Sequence, residues 1–142
     1  MANWKSAQRK AAITARWAVT MTKVRIRLVL ARTHWQLVTF CGKSGAESVG
    51  VVDLLAVRKD HGKPRRSMKR GDALQVILIQ VKGGGASMPT AEDVKRLRAV
   101  ARLHRARSVL LASWKRGSET KFFRLNILGN WKAIEDLESV FR

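Results

Sequence analysis

Acidic residues are scarce in this chain. Ten Asp and Glu stand against 29 Lys and Arg in 142 residues, for a formal net charge of +19. Residues 1–46 contain no acid at all, while nine basic residues fall there: Lys5, Arg9, Lys10, Arg16, Lys23, Arg25, Arg27, Arg32 and Lys43. Such a field disfavours basic partners and favours a polyanion, nucleic acid first. Cysteine is almost absent: Cys41 alone cannot close an internal disulfide or build a zinc cluster. No uninterrupted apolar run reaches the roughly 18 residues of a membrane span. The first residues lack the apolar core of a signal peptide, because Arg9, Lys10 and Arg16 punctuate them. A cytoplasmic protein without a membrane partner is the expectation. Repeats are lacking, and no Ser/His/Asp arrangement is visible.

What is present is enough apolar residue, 46%, to build a core in one domain spanning 1–142, with a basic helical segment over about 1–33. Residues 4 to about 20 read as helix, Ala-rich and free of Gly and Pro. Residues 22–32 fit either a strand or a continuation of that helix. Strands are expected at His34–Phe40, Val51–Arg58, Ala73–Lys82, Ser108–Trp114 and Thr120–Ile127. Thr90 is set to cap a helix running to about Arg105, with Glu92 and Asp93 in its first turn. Val94, Leu97, Ala101 and His104 form its apolar-leaning stripe, so His104 is expected to be packed. Trp114 and Trp131 are expected in the core, and Trp131–Phe141 as a short amphipathic helix. The sum is an α/β domain with a central mixed sheet flanked by helices.

Two apolar runs carry polar intrusions. Asp53 interrupts Gly50-Val51-Val52-Asp53-Leu54-Leu55-Ala56, and Gln80-Val81-Lys82 ends the run that starts at Leu74. A carboxylate in such a setting is costly unless a cation, a metal or several donors compensate it. Gln80 and Lys82 are two apart and share a face on a strand. If the strands are neighbours, a carboxylate, an amide oxygen and an ammonium converge.

The motif and the element order resemble the PD-(D/E)xK nuclease superfamily, with Gln80 in the place of an acid, as in the QxK form of Mrr-type restriction endonucleases. The surroundings are similar to archaeal-type Holliday junction resolvases, in which a Ser-Gly turn precedes the first acid; Ser44-Gly45 corresponds, at a different spacing. The resemblance covers roughly residues 35–127. It implies a restriction-endonuclease-like fold with an αβββαβ core. It also implies a Mg²⁺-dependent endodeoxyribonuclease, with Mn²⁺ able to substitute, acting on branched DNA as a homodimer. Asp53, Gln80 and the Val81 backbone carbonyl would hold the metal, and Lys82 would orient the attacking water. The superfamily's helix Glu has no counterpart, since no acid precedes Glu47. Glu47 is the one further candidate for the catalytic and metal-binding set; alternatively it is a loop acid paired with an arginine.

DNA contacts are expected from Arg9, Lys10, Arg16, Lys43 and Ser44, from Arg65, Arg66, Lys69 and Arg70 between the two apolar runs, and from Lys95, Arg98 and Arg102 on the capped helix. Gly83–Gly85 either lets the backbone approach a phosphate or is a plain loop. Two other readings stay open: an Mrr-like duplex endonuclease, and a nuclease-fold protein that binds nucleic acid without cutting it.

Overall fold

The computed structural model describes residues 4–40, 49–86 and 88–142. The chain begins with a single long helix, α1 (Trp4–Leu30), so residues 22–30 continue the helix instead of forming a strand. Its buried positions, Ala18, Thr22, Ile26 and Leu30, recur every fourth residue and define one inward face. Next come β1 (Gln36–Thr39), β2 (Leu54–Lys59), β3 (Leu74–Gly83), α2 (Ala91–Leu103), β4 (Ser108–Trp114), β5 (Lys121–Leu125), β6 (Trp131–Ile134) and α3 (Leu137–Val140). The six strands form one sheet in chain order. Every neighbouring pair is antiparallel except β3 and β4, which are parallel and joined through α2. This is the expected mixed sheet with its αβββαβ core, extended by β5, β6 and α3.

α1 and α3 cover one face of the sheet, where Ile26 and Leu30 pack with Leu54, Ile77, Ile79, Leu110, Phe122 and Phe141. α2 lies on the other, with Leu97 against Leu78, Val109 and Val51. Trp35 pins the C-terminal segment to the first face. Its indole N–H donates to the Phe141 carbonyl at 2.7 Å, and the Arg58 guanidinium stacks 4.3 Å from its ring centroid. Burial, aided by the charge of Arg107 and opposed by Asp60, lowers the Arg58 pKa from its ordinary value.

Three expectations need correction. The segment Trp131–Phe141 is not one helix: Trp131–Ile134 is the edge strand β6, paired with β5, and only Leu137–Val140 is helical. Apolar residues three apart (Trp131, Ile134, Leu137) imitate a helical period, but backbone pairing to β5 decides the outcome. His104 is exposed, not packed, because α2 ends at Leu103 and Arg105, in the left-handed region at φ 51°, turns the chain away. Trp131 is half-buried, whereas Trp114 is buried as expected and Trp35 joins the core.

Candidate active site

The site begins where two strands part. The β2–β3 ladder ends at the pair Leu54–Ile79, but β3 runs on to Gly83, paired only with β4. Asp53 stands at this fork. Its backbone is still held on both sides: its N–H donates to the Ile79 carbonyl at 2.9 Å, and its carbonyl accepts from the Phe40 N–H at 3.0 Å. Its side chain takes over where the ladder stops, Oδ2 accepting from the Val81 N–H at 2.7 Å. A half-buried carboxylate therefore occupies the edge of β3 beside Gln80 and Lys82. Charge-assisted hydrogen bonds of this length fix an acceptor firmly in place.

Strand alternation assigns the faces. Leu54, Ile77 and Ile79 point toward α1, so Leu78, Gln80 and Lys82 belong to the α2 face. Gln80 is only 6% exposed, and its Oε1 is buried without a hydrogen-bond partner among the described residues. An orphaned amide oxygen of this kind costs roughly 1–3 kcal/mol, which a donor or cation would offset. Lys82 is half-buried and makes no ion pair among the described residues.

Behind this fork lies a cavity of about 820 Å³ between α1 and the ends of β1, β2 and β3. Asp53, Val81 and Lys82 line it together with Arg16. Its floor is built from small residues. A Cβ placed on Gly83 would sit 2.7 Å from the Ala18 Cβ, and one on Gly84 would sit 2.9 Å from Thr14 Cγ2. The glycine run thus serves close helix packing first, and it opens the cavity beside Lys82. Helix packing is a reason for glycine beyond the two readings of 83–85, a phosphate approach or a plain loop; Gly83 itself is the last residue of β3.

The expected residues converge in part. Asp53, Val81 and Lys82 come together at the cavity, where Arg16 joins them, while Gln80 stands next to them on β3 with its side chain buried outside the cavity lining. Lys43, Ser44 and Glu47 lie outside the described residues. Arg9 and Lys10 are exposed on the first turns of α1. Arg65, Arg66, Lys69 and Arg70 are exposed in the loop joining β2 to β3. That loop leaves from Lys59, at the opposite end of β2 from Asp53, about 20 Å away at 3.3 Å per residue. Lys95, Arg98 and Arg102 line a separate groove of about 670 Å³ between α2 and the β5–β6 turn, where Arg98 donates to the Ile127 carbonyl at 3.0 Å. Among the described residues no group of three or more His, Cys, Asp or Glu side chains could hold a metal ion.

No family model matches the chain, and a search of curated proteins found no match. Among solved structures, the chain is similar to Hjc, a Holliday junction resolvase from the archaeal hyperthermophile Archaeoglobus fulgidus, determined at 1.6 Å resolution. The identity is 17% and the TM-score 0.41, over 86% of this chain and 90% of that one.

Proposed function

We propose that this protein is a metal-dependent endodeoxyribonuclease acting on branched DNA, with its centre at Asp53, Gln80 and Lys82. The observation that carries the reading is the fork itself. A carboxylate bonded to the Val81 N–H, the buried oxygen of Gln80, without a hydrogen-bond partner among the described residues, and the ammonium of Lys82 share the one stretch where β3 has no β2 partner.

The donors fit a hard divalent cation, because they are all oxygen and one of them is an orphan. Asp53 and Gln80 would hold Mg²⁺ or Mn²⁺, with the Val81 carbonyl and Glu47 as further candidates. The cation would polarise the scissile phosphate and lower the pKa of a bound water. The protein's own contributions follow from position. The Val81 N–H orients the Asp53 carboxylate, so that its remaining lone pairs are fixed in direction. Lys82, on the same strand face as Gln80, supplies a cation to orient the attacking water and to offset charge developing on the phosphate oxygens. Arg16 extends the positive potential into the adjoining cavity.

The substrate follows from charge. A surface this basic, with cations at both ends of the sheet, suits contacts to phosphates along several arms more than base reading along one groove. Symmetric cutting of a four-way junction would require two such chains as a homodimer. The test is cleavage of a four-way junction and of a linear duplex with Mg²⁺ or Mn²⁺. Asp53→Asn and Lys82→Ala should each reduce cleavage by at least roughly a hundredfold while leaving binding intact. No cleavage of either substrate with either metal would refute the assignment.

A further inference from the structure

α1 has a second apolar face, and the sheet does not use it. Ile13, Trp17, Met21, Val24 and Leu28 are 47%, 55%, 36%, 46% and 67% exposed. At 3.6 residues per turn they fall within about 80° of arc, opposite the buried row Ala18–Thr22–Ile26–Leu30. Ile13 and Val24, like Trp17 and Leu28, are eleven residues apart, a spacing close to three helical turns. The row therefore runs straight along the helix for about 23 Å. Cations surround it: Arg9, Arg16 and Arg27 on one side, Arg25 on the other and Lys10 at its N-terminal end, all exposed. α1 has no acid anywhere along its length.

The geometry points to α1 as a peripheral membrane contact, laying this row into the interface of an anionic lipid bilayer. Three observations select that occupant. A second copy would bring two acid-free, cation-flanked helices together, with repulsion at every flanking position and no ion pair to offset it. A nucleic-acid duplex would satisfy the cations but offers no apolar strip to receive five side chains in line. A bilayer interface supplies both, apolar depth for Trp17, Leu28 and their neighbours and anionic headgroups for arginines that snorkel from the flanks. No helix of the described residues is long and apolar enough to cross a membrane, and a surface contact needs none. The sequence expectation of no membrane partner followed from the lack of a spanning apolar run, and a surface contact through α1 is a different mode of binding. This inference does not depend on the chemistry at Asp53.

The test uses the full chain with vesicles of phosphatidylglycerol and phosphatidylcholine in equal parts, against phosphatidylcholine alone. Charge attraction alone is released by salt, since the Debye length falls to a few ångströms as ionic strength approaches about 1 M. Wild type should remain on anionic vesicles at that salt, and acyl-brominated lipid should quench its tryptophan emission. The pair Trp17→Ser and Leu28→Ser keeps the charge and alters only exposed positions, so an unchanged melting curve will report an intact fold. It should lose salt-resistant binding roughly tenfold or more, and the Trp17→Phe variant should lose most of the quenching. Complete release of wild type by salt, equal retention of the double variant, or a solution dimer dispersed by the same substitutions would each overturn the inference. Asp53→Asn should bind vesicles as wild type does, so a failed nuclease assignment remains distinguishable.

Discussion

Gly83 and Ala18 meet so closely that a methyl group on Gly83 would lie 2.7 Å from the Ala18 Cβ and 3.3 Å from the Thr14 carbonyl oxygen. This packing fixes α1 against the strand residue next to Lys82. Gly83→Ala should therefore cost about 1–3 kcal/mol through overpacking and, by moving Lys82, reduce cleavage as well. Gly85→Ala meets nothing within 4 Å and should stay within about 0.5 kcal/mol of wild type. Urea unfolding of the two variants checks the contrast, and equal stabilities would contradict it.

Gln80→Glu separates a metal site from a merely buried amide. Without a cation, a carboxylate at a position 6% exposed should lower stability, on the order of 5 °C in Tm. Millimolar Mg²⁺ should recover most of that loss, because the ion binds only the folded state. Thermal melts of wild type and variant across a Mg²⁺ titration measure this directly. A variant whose Tm ignores Mg²⁺ would remove Gln80 from the metal set.

The loop cations lie at the other end of the sheet from Asp53 and should act on binding without touching chemistry. Arg65→Ala with Arg66→Ala should flatten the plot of log affinity against log salt by about 0.9 for each phosphate that is no longer neutralised. The single-turnover rate of bound DNA should not change. A changed rate with an unchanged slope would place these arginines at the centre.

Thr90 starts α2 with a reciprocal pair of bonds: Asp93 N–H donates to Thr90 Oγ1 at 3.1 Å, and Thr90 N–H donates to Asp93 Oδ2 at 3.2 Å. Thr90→Ala should cost about 1 kcal/mol, read as a shift of the urea midpoint at constant slope.

What the sequence disclosed depended on how local the cause was. The Thr90 cap needs residues three apart and was legible, as was β4, a buried run found at its full expected length, Ser108–Trp114. The neighbouring placement of Asp53 and Gln80 was also legible, because two antiparallel strands joined by a loop leave few alternatives. The Asp53–Val81 bond was not, since it exists only because the ladder stops at Leu54 and Ile79. The alternation Lys23-Val24-Arg25-Ile26-Arg27-Leu28 suggested a strand because α1 is apolar on two faces: Ile26 is buried, while Val24 and Leu28 point outward. Arg58 stacked on Trp35 joins residues 23 apart in sequence, and no pattern in the chain announces it.

The lopsided pairing of β3 has one more consequence. Beyond Ile79 the strand's ladder pairing is with β4 alone, and β4 reaches it through the α2 crossover. The hairpin register and the Asp53 bonds set where Gln80 and Lys82 stand, but the strand that backs them is placed by the length and docking of a helix. Changes in the loop at residues 60–73 should be tolerated by the centre. A one-residue insertion between Arg105 and Ser108 would slide β4 past it, and would change the strand that backs Gln80 and Lys82 without altering either residue.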